Sequence, residues 1–79
     1  MSEKAIGYLG YNQENKRYGI LYMDCWEDTG LHCGEVIEVL VNDEWIQDRV
    51  EFSDDWYLVY SKLKGNDLEH LQVKFEMRN

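Results

Sequence analysis

The sequence has no proline, only two cysteines and no long apolar run among its 79 residues. A membrane-spanning helix needs roughly 20 consecutive apolar residues, and no stretch approaches that length. Residues 1–5 also lack a basic segment followed by an apolar one, which a secretion signal would carry. The sequence therefore predicts a cytoplasmic protein that does not bind membranes.

Basic side chains are scarce as well, with eight Lys and Arg against sixteen Asp and Glu, which gives a formal charge of −8. Proteins bind nucleic acid largely through Lys and Arg that displace counterions from phosphates, so this balance argues against direct nucleic-acid binding. The same negative field favours basic partners. Excess negative charge also serves solubility alone, so the charge does not by itself establish a partner.

The two cysteines, Cys25 and Cys33, lie close together in the sequence. In a reducing compartment they are expected to stay free thiols, with at least one of them buried as a small hydrophobe. Cys33 also adjoins His32, but neighbouring residues of a strand point to opposite faces, so His32 is badly placed to activate the thiol. We expect Leu31 and Cys33 to pack inward and His32 to face solvent.

No catalytic or metal-binding constellation is recognisable. A metal site built from Cys25, His32 and Cys33 would lack a fourth ligand at a suitable spacing. Adjacent acids such as Asp54 and Asp55 form turns and do not face each other across a cleft, as paired catalytic carboxylates must. No phosphate-binding loop, serine elbow or zinc-protease motif is present. The sequence therefore predicts no enzymatic activity, no metal and no cofactor.

Alternation of apolar and polar residues marks six strands. The pair Asn42-Asp43 tolerates positive φ, so it predicts a two-residue hairpin turn. Residues 24–30 are polar and predict a loop that carries Trp26, and residues 67–70 allow one helical turn. The predicted strands cover residues 4–11, 17–23, 36–41, 44–52, 56–60 and 70–77.

So many short strands in one small domain predict an all-β fold that spans residues 1–79. A flat sheet would leave two exposed edges that invite aggregation, so we expect the sheet to curl on itself. The favoured architecture is a small, strongly bent antiparallel barrel of the SH3-like kind. An OB-like barrel and an open twisted meander are the alternatives.

The three Trp and six Tyr residues exceed what one small core encloses, so some must be exposed. Alternation turns Ile46, Val50 and Phe52 inward and Trp45 outward, either as a lid on one end of the barrel or as an exposed contact. Exposed Trp and Tyr are typical of binding hot spots. The candidate partner-binding residues are Trp26, Trp45, Trp56, Tyr57, Asp54 and Asp55.

Several motifs carry a resemblance to a known family: LHCGE at 31–35, Trp45-Ile46, RVE at 49–51 and WYLV at 56–59. Together with the segment 12–18, their order resembles a family of short uncharacterised proteins from Gram-positive bacteria, their phages and conjugative elements, known only as a domain of unknown function. The resemblance implies no catalytic residue. Its mobile-element context implies an accessory or anti-defence role.

The sequence thus predicts a non-enzymatic protein-interaction module with a protein partner, and the charge favours a basic one. The alternative is an acidic inhibitor from a phage or mobile element that mimics DNA and blocks a basic nucleic-acid-binding groove with its carboxylates. Either a monomer or a weak homodimer is expected, because an uncovered edge strand can pair with its twin.

Overall fold

Seven strands and one short 3₁₀ helix make up the fold in a computed structural model that describes residues 3–77. The strands are β1 Lys4–Asn12, β2 Arg17–Tyr22, β3 Cys25–Asp28, β4 Val36–Val41, β5 Glu44–Phe52, β6 Trp56–Leu58 and β7 Gln72–Glu76. The 3₁₀ helix spans Gly65–Leu68 and overlaps the helical turn that the sequence allows at 67–70 in residues 67 and 68. None of the helical residues in this range forms a segment that is long and apolar enough to cross a membrane.

The hairpin between β4 and β5 is the local structure that the sequence predicts best. Asn42 and Asp43 form its two-residue turn with φ angles of 52° and 64°. Both angles are positive, as this kind of turn requires, and they suit Asn and Asp better than most other residues. The turn fixes a register in which Val41 pairs with Glu44.

The segment after β2 differs from the prediction, because residues 25–28 form an edge strand and not a loop. Met23 and Asp24 make a second two-residue turn with φ angles of 52° and 63°. Methionine carries no turn signal, and β3 is largely exposed, so it lacks the apolar alternation that identifies a half-buried strand. Trp26 therefore lies on a hydrogen-bonded strand beside β2.

All strand pairs are antiparallel, and the order across the sheet is β3-β2-β1-β7-β4-β5-β6. The all-β prediction is thereby confirmed. β7 joins two three-stranded meanders, because it pairs with β1 on one side and with β4 on the other. The sheet curls so strongly that the Trp56 indole on β6 donates a hydrogen bond to the Lys16 carbonyl in the turn between β1 and β2.

The core lies inside this curl, on the face that apolar residues of successive strands share. Val73 of β7 is fully buried at its centre, between Gly7 and Val39 of the neighbouring strands. Leu71, Val73 and Phe75 alternate with polar residues along this strand, and the burial of Val73 agrees with that alternation. The buried apolar residues are Leu9, Tyr18, Ile20, Leu31, Ile37, Val39, Val50, Trp56, Leu58, Leu68 and Val73.

Two expectations about buried side chains are wrong. Phe52 was expected to face inward but is 52% exposed, because it ends β5 beyond the core and packs against Trp56 only by its edge, with ring centroids 5.0 Å apart. Cys33 was also expected inside, yet both Cys33 and Cys25 are exposed free thiols. Cys33 lies in a turn before β4 begins, so strand alternation does not govern its direction.

Candidate functional site

Trp26 is held on the outer face of the sheet by two glycines. Gly10 and Gly19 are register partners on β1 and β2, and they lie on the same face as Trp26. A Cβ built on Gly19 would lie 3.0 Å from the Trp26 ring, and one built on Gly10 would lie 3.6 Å from it and 2.6 Å from Leu21 Cδ1. The indole thus occupies a space that any other residue at these two positions would fill.

Trp26 belongs to a continuous apolar area that we call the outer-face patch, composed of Ile6, Tyr8, Leu21 and Trp26. Tyr8 pairs with Leu21, and Leu21 pairs with Trp26, so the three side chains form a row across β1, β2 and β3. Ile6, Tyr8 and Trp26 are exposed, Trp26 to 39%. Soluble domains that present several large apolar side chains together often use them for binding.

Trp45 is also on the outer face, as alternation predicts, but it is only partly exposed. The Lys74 ammonium lies 4.4 Å from the centre of its ring, and Leu40 is its partner on β4. This cation–π contact covers the indole with a residue of the same chain. Trp45 therefore is neither a lid on the core nor a freely exposed ring.

Trp56 does not belong to an exposed site, since only 6% of it is accessible. Its indole donates to the Lys16 carbonyl at 2.9 Å, and the Arg17 guanidinium lies 5.7 Å from its ring. The prediction of Trp56 as a partner-binding residue is corrected on this ground. A strand that is apolar on both faces does not reveal from sequence alone which aromatic ring the fold encloses.

Of the remaining candidates, Asp54 and Asp55 lie in the turn before β6 and Tyr57 lies within β6. All three line a separate cavity of about 370 Å³. Asp55 is engaged in that turn, because its Oδ1 accepts a hydrogen bond from the Trp56 backbone at 2.8 Å. The structure therefore divides the predicted set. Trp26 and Trp45 share the outer face, whereas the residues of this turn form another surface.

A second feature, which the sequence did not reveal, is an acidic cavity of about 300 Å³ between β3 and the start of β4. Ile20, Ile37 and Phe75 contribute apolar walls. The carboxylates come from three separate segments of the chain, so no local sequence motif identifies them. The charged side chains that line the cavity are Glu27, Asp28, Glu35, Glu38, Glu76, Lys4 and Lys74.

Two buried polar groups hold the loops around β6 in place. Asp48 accepts hydrogen bonds from the backbone of Arg49, Tyr60 and Ser61 at 2.8, 2.8 and 2.9 Å. Burial of this carboxyl is the strongest single influence and would raise its pKa, but the hydrogen bonds together outweigh burial and lower the pKa of Asp48 below its usual value. Asp48 is thus a structural anion.

Tyr18 plays the matching role on β2. Its hydroxyl donates to the Gly65 carbonyl at 2.9 Å and so ties the 3₁₀ helix to the sheet. Burial, followed by the nearby carboxylates of Glu69 and Asp55, raises the pKa of Tyr18 to about 12. The phenol therefore stays protonated and keeps donating this hydrogen bond at physiological pH.

The described residues contain no group of three or more His, Cys, Asp or Glu side chains that could hold a metal ion. His32 is exposed, and its backbone N–H donates to Glu35 Oε1 at 3.0 Å. The surface presents the apolar outer-face patch and the acidic cavity.

These features define a small antiparallel all-β domain that displays an aromatic outer face. The chain belongs to the family described as a domain of unknown function, DUF5348, whose model matches residues 7–75. It is similar to a protein from Ruminococcus gnavus whose crystal structure a structural genomics consortium solved, with 40% identity and a TM-score of 0.74. That similarity covers 90% of this chain and 100% of the other. No curated protein matches.

Proposed function

We propose that this domain is a non-enzymatic protein-interaction module that binds a basic protein partner through the outer-face patch. The observation that carries the proposal is the position of Trp26, which lies over Gly10 and Gly19 and yet keeps 39% of its surface exposed. The missing side chains of the two glycines leave room for the ring against the sheet, while part of the ring stays open to a partner. Exposed Trp is among the residue types most enriched at binding hot spots.

The chemistry of the partner follows from charge. The chain carries a net charge of −8. Several of its cations are already engaged within the molecule: Lys4 pairs with Glu38, Arg49 pairs with Glu51, and Lys74 lies over Trp45. The field of the chain as a whole is therefore negative. A basic partner is attracted by this field, whereas a second copy of the chain is repelled by it.

The proposal is tested by comparing Trp26→Ala with Phe52→Ala, a second exposed aromatic residue that lies outside the outer-face patch. Immobilised protein would first capture a partner from cell extract, and the purified partner would then be titrated by calorimetry. We expect Trp26→Ala to weaken binding roughly ten-fold or more, as the loss of a hot spot does, and Phe52→Ala to leave the affinity unchanged. Equal affinity of folded Trp26→Ala and the original protein would refute the proposal.

A second candidate function is an acidic inhibitor from a phage or mobile element that occupies a basic nucleic-acid-binding groove. The observation in its favour is the cavity between β3 and β4, where five carboxylates face only two lysines. Such an inhibitor binds mainly by charge, so its affinity must fall steeply with salt and duplex DNA must compete with it. Binding that is indifferent to salt, or that DNA does not displace, eliminates this candidate.

A further inference from the structure

The two edges of the sheet are not equivalent. At the β6 edge, Tyr57 forms a bridge with Lys64, and the Leu58 N–H donates to the Leu63 carbonyl at 2.9 Å. The following chain thus covers this edge. At the other edge, β3 pairs with β2 alone, and no further backbone partner for residues 25–28 exists among residues 3–77. β3 therefore presents an open row of backbone donors and acceptors.

The open edge carries acidic residues at both ends. Asp24 precedes β3, Glu27 and Asp28 end it, and no Lys or Arg lies between them. Glu27 and Asp28 also line the acidic cavity that extends to the start of β4. If two copies of the chain paired through β3, these carboxylates would meet across the new strand pair, where like charges are destabilising. Pairing of β3 with β3 of a second copy is thus disfavoured, and pairing with a basic strand is favoured.

We propose that the open edge of β3 binds an extended basic segment of the partner, which pairs with β3 as an eighth strand. This inference rests on the proposed function and adds the mode of binding to it. Alternate side chains of such a segment point to opposite faces of the sheet. One set lies beside Trp26 on the outer face, and the other set extends toward Asp28 and the acidic cavity. Main-chain hydrogen bonds supply affinity, and the two faces supply selectivity.

The β-bulge in β3 provides a way to block the edge. Ile20 pairs with Asp28 and Leu21 pairs with Trp26, so Glu27 is an extra residue without a partner on β2. Proline is tolerated at bulges, where no ladder hydrogen bond is lost. Glu27→Pro therefore obstructs the open edge with little effect on the pairing of β2 and β3. Glu27→Gln is the matched control, since it removes the same charge and keeps the backbone N–H.

The probe is a capped octapeptide in which lysine alternates with threonine and valine. The control is the same peptide with every second backbone nitrogen methylated. Methylation keeps the charge of the peptide and removes the N–H donors along one of its edges. We expect the first peptide to bind the original protein, to protect the amides of residues 25–28 from hydrogen exchange, and to bind roughly ten-fold more tightly than the methylated one. Glu27→Pro should lose this binding, and Glu27→Gln should retain most of it.

Any of three results overturns the proposal: the two peptides bind equally well, the amides of residues 25–28 gain no protection, or the first peptide does not bind. If Glu27→Pro does not fold, the affinities of the two peptides for the original protein still test whether β3 binds an added strand. Failure of this inference is distinguishable from failure of the proposed function. If Trp26→Ala weakens binding of the partner and Glu27→Pro does not, the domain is still an interaction module. The partner then does not bind as an added strand beside β3.

Discussion

At the scale of single residues, Asp48 shows how a charged side chain comes to lie in a small core. It is 1% exposed, between Ile46 and Val50 on the inner face of β5. Its carboxylate accepts hydrogen bonds from three backbone N–H groups, two of them in the turn at residues 60–61. Buried charge is tolerated when hydrogen bonds replace water in this way. Asp48 therefore fixes the chain that follows β6.

The substitution Asp48→Asn tests this role through pH. The pKa of Asp48 is lowered in the folded protein, so the unfolded state binds its proton more readily. The stabilisation is complete above the unfolded pKa of about 4 and is lost as the pH falls through the folded pKa. We expect Asp48→Asn to lose about 2–3 kcal/mol of unfolding free energy near neutral pH, and this difference to shrink in acid.

Urea unfolding from neutral pH to acid pH measures the effect. Asp54→Asn, which changes an exposed carboxylate, serves as the control and should follow the original protein closely. A difference between Asp48→Asn and the original protein that stays constant into acid would contradict the assignment of Asp48 as a buried anion.

The two glycines under Trp26 lead to a second prediction at this scale. A Cβ on Gly19 would collide with the Asp28 carbonyl, which is backbone, whereas a Cβ on Gly10 would first meet the mobile end of the Leu21 side chain. We expect Gly19→Ala to destabilise the domain by about 1–3 kcal/mol, and Gly10→Ala by less. Thermal unfolding gives the order, and tryptophan fluorescence reports displacement of Trp26. The reverse order would contradict the close approach of the Asp28 carbonyl to Gly19.

Sequence reasoning at this scale succeeds where a residue sits inside a regular strand. Val73 is buried and Trp45 points outward, as alternation predicts. It fails at strand ends and turns, as with Phe52 and Cys33, because their directions depend on contacts that are distant in the sequence. The packing of Trp26 against Gly10 and Gly19 was also not predicted, since no local sequence pattern shows that the two glycines are paired.

At the scale of elements, β7 is the strand on which the sheet depends. It pairs with β1 over residues 4–8 and with β4 at Glu38 and Val39. Along the described chain, no other strand connects the β1–β3 meander with the β4–β6 meander. Side chains on its inner face are therefore in contact with both halves of the core.

Val73→Ala tests the importance of β7. Val73 is fully buried, so removing two methyl groups leaves a cavity that neighbouring side chains fill only in part. We expect a loss of about 2–3 kcal/mol in urea unfolding, a large share of the stability of so small a domain. Val36→Ala on β4 is the matched control, because Val36 is exposed, and it should change stability by less than about 0.5 kcal/mol. Similar losses for the two variants would contradict a central role for β7.

The hairpin between β4 and β5 was predictable from sequence, but the arrangement of the strands in the sheet was not. Asn42-Asp43 identifies the turn between β4 and β5 through local backbone preference. The place of β7 between β1 and β4 depends on pairing between the two ends of the chain, which alternation cannot encode. β3 was not predicted because an exposed edge strand has no buried face, so its sequence lacks the alternation of apolar and polar residues.

At the scale of the whole molecule, the charge of −8 is the property that acts on every contact. Carboxylates repel one another across a domain whose Cα radius of gyration is only 11.7 Å, and this repulsion opposes the compact state. The repulsion acts over distances comparable to the Debye length of physiological solutions, about 8 Å, so added salt screens it.

We therefore expect sodium chloride to stabilise the domain. Raising the concentration from about 0.02 M to about 0.5 M should increase the unfolding free energy by about 1 kcal/mol, which corresponds to a rise in Tm of about 4–8 °C for a domain of this size. Differential scanning calorimetry measures the shift, with glycerol at equal osmolality as the control for uncharged solutes. A fall in Tm with salt would show that the ion pairs Lys4–Glu38 and Arg49–Glu51 outweigh the repulsion.

The central place of β7 also determines when the domain can form during translation. Residues 72–76 are made after the six other strands, and until they leave the ribosome the two meanders have no strand to join them. The complete sheet therefore cannot form before β7 has emerged. In the nascent chain, β1 and β4 expose strand edges that β7 covers in the finished protein. Chaperones can bind these edges until β7 pairs with them.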